Sequence, residues 1–309
     1  MKRAELGEKD IRIHDYDDPA GGWGSVGSLF RNAREQDLLS SDIYRTLHRQ
    51  NKAEGFMCVS CSWAKPKEPH LFEFCENGAK ATMWEQTAHR CSPEFFAEHT
   101  ISELLEWTDC ELESAGRLTD PLKYNPATDK YEPVSWDVAL AEIAIHLQAL
   151  DPDEVIFYTS GRASLEASYM YQLFARIYGS PNLPDSSNMC HESTSVGLPE
   201  AIGSPVGTVQ LEDFDQADMI LFFGHNVGVT APRMLHALQA ARKKGVPLIT
   251  FNPLPERGLV RFKNPQAPTE MLSPQPGTPM SSDFYQVKAG GDIAAITGIC
   301  KHLLVLDTM

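Results

Sequence analysis

The stretch from Arg117 to Ala144 reads RLTDPLKYNPATDKYEPVSWDVALAEIA, and its punctuation is informative. Pro121, Asn125-Pro126 and Asp129 are turn residues, and Ser135 is placed to cap a helix whose apolar side chains recur at helical spacing. A turn, a strand and a helix start are therefore expected. On both sides of the stretch the composition changes: widely spaced cysteines lie before it, and alternating strand-like and helix-like runs lie after it.

The downstream runs predict strands at Glu154 to Thr159, Met219 to Phe223 and Pro247 to Phe251. Helices are expected at Ser164 to Tyr178, Pro232 to Lys244 and Ile293 to Leu306. This alternation predicts a doubly wound, mainly parallel α/β body. Residues 263–283, rich in Pro and Ser, read as a long loop. Upstream, residues 17–24 read as a glycine-rich loop and the following polar segment to Arg49 as helical. Leu71 to Phe74 and Ala79 to Trp84, joined by Glu76-Asn77-Gly78, predict a hairpin on the strength of the Asn-Gly pair.

A chain of 309 residues with 42% hydrophobic content can bury substantial cores. Its formal charge of −15 argues against nucleic acid or an anionic membrane surface as principal partner. The charged start, Met1 to Asp18, lacks the apolar run of a secretory signal, and no window is apolar enough to span a bilayer, so a cytoplasmic location is expected.

Seven cysteines without an export signal point to metal ligands and buried thiols rather than disulfides. Cys58 and Cys61 form a C-x2-C pair, a spacing that lets two thiolates from one turn grip one metal centre; Cys75 and Cys91 are the nearest candidates to complete a set of four. A zinc site lacks its second knuckle here. A thioredoxin-like pair would need a helix N-terminus after a strand, where this sequence has the Lys65 to Pro69 loop. Cys110 and Cys300 read as buried thiols on apolar helical faces.

The run Arg117-Leu118-Thr119, Pro121-Leu122, Tyr131, Pro133-Val134-Ser135-Trp136-Asp137 and Ala139-Leu140 resembles the entry to the pterin-binding body of molybdopterin oxidoreductases, in the formate-dehydrogenase-H/YdeP-like group of alpha subunits. The resemblance implies residues 1–54 as an extension, 55–116 as a small iron-sulfur hairpin domain and 117–309 as molybdopterin-binding α/β domains, incomplete because the family's members exceed twice this length. It implies a [4Fe-4S] cluster on Cys58, Cys61, Cys75 and Cys91, with a departure: the family's third cysteine, after three intervening residues, is Lys65 here. The lysine that follows the family's fourth cysteine by two residues is Pro93.

The same resemblance implies a molybdenum bis(molybdopterin guanine dinucleotide) cofactor held through Gly224 and Asn226 after one strand, Asn252 after the next and Asp292 at a later turn. At the position of Asn252 the family commonly has Asp. Cys190 and His191 match a pair in which the thiolate ligates molybdenum and the imidazole moves a proton. The implied activity is two-electron oxidation of formate or a similar small molecule, with electrons leaving through the cluster to an acceptor protein. The isolated chain is expected to be inactive. A non-catalytic structural or electron-relay subunit that keeps the fold without molybdenum is the alternative.

Overall fold

The computed structural model describes residues 16–58, 60–61, 63–159, 161, 163–184 and 186–307, with the side chains of 40 and 186–189 excepted. Most of the charged start read above as lacking a signal, residues 1–15, lies outside the described residues. The chain forms two compact units, one from 35–39 and 83–208, the other from 16–34, 40–82 and 209–307.

The second unit is organised by a parallel sheet in which Leu248–Phe251 lies between Ile220–Phe223 and Asp283–Tyr285. ILFF and LITF are short apolar, β-branched and aromatic runs, the kind that strands buried in parallel sheets require. Helix Met234–Lys243 connects the first two strands and contributes Leu235 and Leu238 to the core that also takes Phe222, Val227, Leu248, Leu259, Phe262 and Met280. Each such buried side chain is worth roughly 1.5–3 kcal/mol of transfer free energy.

A second small sheet pairs Arg261–Lys263 with Ala20–Gly21 in parallel and with Thr278–Pro279 antiparallel. Gly21 has φ of +81°, and any Cβ there would run into the carbonyl of Lys263. Residues 17–24 are thus no simple loop: they contain this strand, and helix Gly22–Glu35 starts inside the glycine-rich run.

The expected hairpin at 71–84 is absent; its second half is helix Glu76–Glu85. Two local terms outweigh the Asn-Gly signal. Glu76 and Lys80 pair across one turn at 2.6 Å, and Ala79, Lys80, Ala81 and Met83 are good helix formers. The 263–283 segment is also more ordered than expected, holding helix Pro268–Leu272, opened by a proline in its first turn, and the strand Thr278–Pro279.

In the first unit the stretch after Arg117 folds as read: Leu122–Asn125 and Lys130–Pro133 form an antiparallel hairpin, and the Ser135 hydroxyl accepts from the Val138 amide to start helix Trp136–Gln148. Helix Leu165–Tyr178 is present, capped by Ser164 and ended by Gly179 at φ +101°. The strand expected at Glu154 to Thr159 does not form as such. Residues 155–158 are held instead by the chain's own 180–182 loop: Phe157 N donates to Asn182 O, and Ser180 Oγ and Asn182 Nδ2 donate to Val155 O. The backbone groups that a neighbouring strand would bond are thereby partly taken. The α/β class and the predominance of parallel pairing hold, with antiparallel pairs in the 122–133 hairpin and at Thr278–Pro279.

Candidate functional site

Three of the sequence-nominated cysteines come together in the second unit. A Cβ added at Gly78 would stand 2.9 Å from Cys58 Sγ and 3.6 Å from Cys75 Sγ, and the Cys61 thiol is close enough to disfavour ionisation of Cys75. Cys75 directly precedes helix Glu76–Glu85, and its sulfur accepts from the Gly78 amide at 3.3 Å, as a capping side chain does. Cys58 Sγ accepts from the Ser60 amide at 3.4 Å. Burial is the main cause of a raised Cys75 pKa, with the two neighbouring thiols adding to it and the Gly78 N–H and Arg233 opposing it. Among the described residues no three His, Cys, Asp or Glu side chains are set as a closed metal-holding group, so the thiols are neighbours rather than a preformed claw.

The framework around these thiols was not legible in the sequence. Asn51 binds both sides of the loop: its Oδ1 accepts from Cys58 N at 2.9 Å and its Nδ2 donates to Glu73 O at 2.6 Å. Glu73 is fully buried, accepts from the His70 backbone amide at 2.7 Å and pairs with Arg233, itself 7% exposed. The one local signal was a carboxylate set inside an apolar run, Leu71-Phe72-Glu73-Phe74, where a charge requires a partner. Cys91 belongs to the other unit, buried with Phe96, Leu104 and Ala115; its thiol donates to Gly116 O at 3.6 Å, and burial raises its pKa. Cys110 and Cys300, expected to be buried, are exposed.

The strand-end residues form a second group. Gly224 follows Ile220–Phe223, has φ of +63°, and a Cβ there would meet open space. Asn226 precedes the short helix Val227–Thr230, and its Oδ1 accepts from Asn252 Nδ2 at 2.9 Å. Asn252 is 1% exposed and its Oδ1 accepts from Leu254 N at 2.9 Å, so its amide is engaged at both ends. The two asparagines named from sequence are thus bonded across the ends of neighbouring parallel strands, where open α/β sheets bind ligands. His225, between Gly224 and Asn226 in the sequence, stacks on Phe222, and burial lowers its pKa against the pull of Glu256.

The loops after the two strands also meet at Gly228 and Gly258, where a Cβ on Gly258 would stand 2.9 Å from Gly228 Cα; sequence reading did not single out that contact. Asp292 opens helix Asp292–Asp307, and its buried Oδ1 has no hydrogen-bond partner. Cys190 and His191 lie in the first unit on Ser186–Ile202, both exposed. They sit in a helical segment that breaks at His191, whose φ of −137° and ψ of 29° are non-helical.

Residues 117–270 match the molybdopterin oxidoreductase family model. The chain carries a molybdopterin oxidoreductase domain. It is 50% identical over 297 residues to protein YdeP of Escherichia coli (strain K12), an alignment covering 96% of this chain and 39% of that protein. An uncharacterized oxidoreductase of Mycobacterium tuberculosis is 45% identical over 90% of this chain and 35% of its own length. The alpha subunit of F420-dependent formate dehydrogenase 1 of Methanococcus maripaludis is 35% identical over 57% of this chain and 23% of its own length. The chain thus spans about two fifths of its YdeP relative. Among the described residues no helix is long and apolar enough to cross a membrane.

Proposed function

We propose that this chain is part of a formate-dehydrogenase-type molybdenum oxidoreductase acting on formate or a similar small molecule in the cytoplasm and passing electrons to an acceptor protein. The observation that carries the reading is the Asn226–Asn252 pair beside Gly224, at the carboxyl ends of parallel strands within the family-matched stretch. In this reading Gly224 lets a phosphate approach the backbone, and Asn226 faces the guanine dinucleotide arm of bis(molybdopterin guanine dinucleotide). Asn252, buried and bonded at both ends, acts by fixing Asn226. The unpartnered Asp292 Oδ1 fits an acceptor for a guanine edge.

Cys58, Cys61 and Cys75 hold a [4Fe-4S] cluster, with Cys91 as the fourth ligand that the family resemblance implies. Cys190 ligates molybdenum and His191 carries the substrate proton, both exposed and with the helix broken at His191. When bound, the molybdenum-pterin group accepts two electrons from substrate and the cluster passes them on singly. The structural or electron-relay alternative draws on Lys65 in place of the family's third cysteine and on Asn252 in place of its Asp.

One anaerobic purification series tests the reading. Wild-type protein should contain iron, molybdenum and pterin. Gly224→Val should lose pterin at unchanged far-UV circular dichroism, whereas Cys190→Ala should keep pterin and change the molybdenum paramagnetic signal. Wild-type protein with iron but neither molybdenum nor pterin would establish the relay subunit instead.

A further inference from the structure

Gln50 closes helix Ser40–Arg49 on its C-terminal side and is completely buried. Its Oε1 accepts from Thr82 Oγ1 at 3.2 Å, which fixes the amide so that Nε2 points away, and Nε2 has no partner. The same Gly78 Cβ position that lies 2.9 Å from Cys58 Sγ lies 3.0 Å from Gln50 Nε2. An amide donor is thus buried and unsatisfied across the Gly78 Cα from a cysteine sulfur.

Arg233 repeats the pattern. One guanidinium nitrogen, Nη2, is bound to buried Glu73, while Nη1 is buried without a partner, and the charge is felt at the Cys75 thiol. Leaving a buried donor unmade costs on the order of 1–3 kcal/mol, and more for a charged group. One acceptor placed among the thiols would take up the Gln50 donor and lie within the field of the Arg233 charge. Gly78 contributes by omission, since a side chain there would fill the space between Cys58, Cys75 and Gln50.

We propose that Gln50 and Arg233 are positioning residues for the iron-sulfur cluster, donating through Nε2 and Nη1 to its sulfurs and raising its reduction potential. This rests on the cluster reading above. Reduction adds an electron to an already anionic group. Hydrogen bonds to the sulfurs and a buried positive charge therefore stabilise the reduced state more than the oxidised one. Gln50 is the cleaner probe, because Arg233 also compensates the Glu73 carboxylate and its loss would strand that charge.

The experiment is a potentiometric titration of anaerobically purified protein, with the cluster's paramagnetic signal read against iron content. Gln50→Leu, similar in size but without a donor, should retain iron and shift the one-electron equilibrium about tenfold toward the oxidised form, a potential 59 mV more negative. Gln50→Glu should shift it further in the same direction, and Arg233→Lys, which keeps the charge, less than Gln50→Leu. Should Gln50→Leu shed its iron, Gln50→Asn, which withdraws the donor by one methylene, carries the same expectation. Iron-loaded variants with the parent's potential would overturn the inference and leave the cluster reading standing. Wild-type protein with stoichiometric zinc and no iron would overturn both.

Discussion

At the scale of single residues, the cysteines divide by environment rather than by spacing. Cys58 and Cys61 were paired by sequence with Cys75 and Cys91 as the nearest further candidates, and the fold brings Cys75 beside them through the cap it makes on helix Glu76–Glu85. Replacing Cys58 and Cys61 by Ser together should abolish the broad visible absorbance of an iron-sulfur cluster. Cys75→Ser should weaken it comparably, and Cys91→Ser tests whether a thiol packed among Phe96, Leu104 and Ala115 belongs to the proposed cluster at all. An unchanged spectrum in the Cys58/Cys61 double variant would exclude those ligands. Sequence could nominate these thiols because a metal needs soft ligands at short spacing. It could not nominate Gln50, Glu73 or Arg233, whose roles depend on partners such as Arg233 for Glu73, 160 positions away.

At the scale of elements, legibility followed locality. The hairpin at 122–133 and its capped helix were readable because turn residues and the Ser135 hydroxyl act within a few residues. Ser135→Ala should accordingly cost about 1 kcal/mol, read as a lowered midpoint in urea with unchanged slope. The strands of the central sheet were readable from their apolar runs. Two errors came from weighing one local signal alone: Asn77-Gly78 suggested a turn where Cys75 and the Glu76–Lys80 pair start a helix. The apolar run from Glu154 suggested a strand, but its backbone partners come from the 180–182 loop. The Asn226–Asn252 bond was half visible, since both residues were named, but their contact depends on the parallel register Phe223↔Phe251.

At the scale of the whole molecule, a buried base imposes a pH dependence on folding. His236 is held down to about 3, mainly by burial, with Arg233 and His70 adding to the effect and Glu270 opposing it. Between its ordinary value near 6.5 and about 3, the unfolded chain binds a proton at this site that the folded chain refuses, so stability falls as pH falls through that window. His236→Gln should flatten this part of the profile, seen as a smaller loss of melting temperature between pH 6.5 and 3 than in the parent. Equal losses in both proteins would show that other groups dominate the acid limb.

The Glu73–Arg233 pair also has a consequence in time. The thiols at 58, 61 and 75 leave the ribosome well before Arg233 is made, because its partner Glu73 precedes it by 160 residues. At ordinary elongation rates of about 5–20 residues per second, that is a delay of roughly 8–30 s. During this interval the nascent chain presents its cysteines with the carboxylate beside them still lacking its arginine. Burial of Glu73 with its charge compensated can therefore follow only after Arg233 has been made, and slowing translation between those two points should delay it.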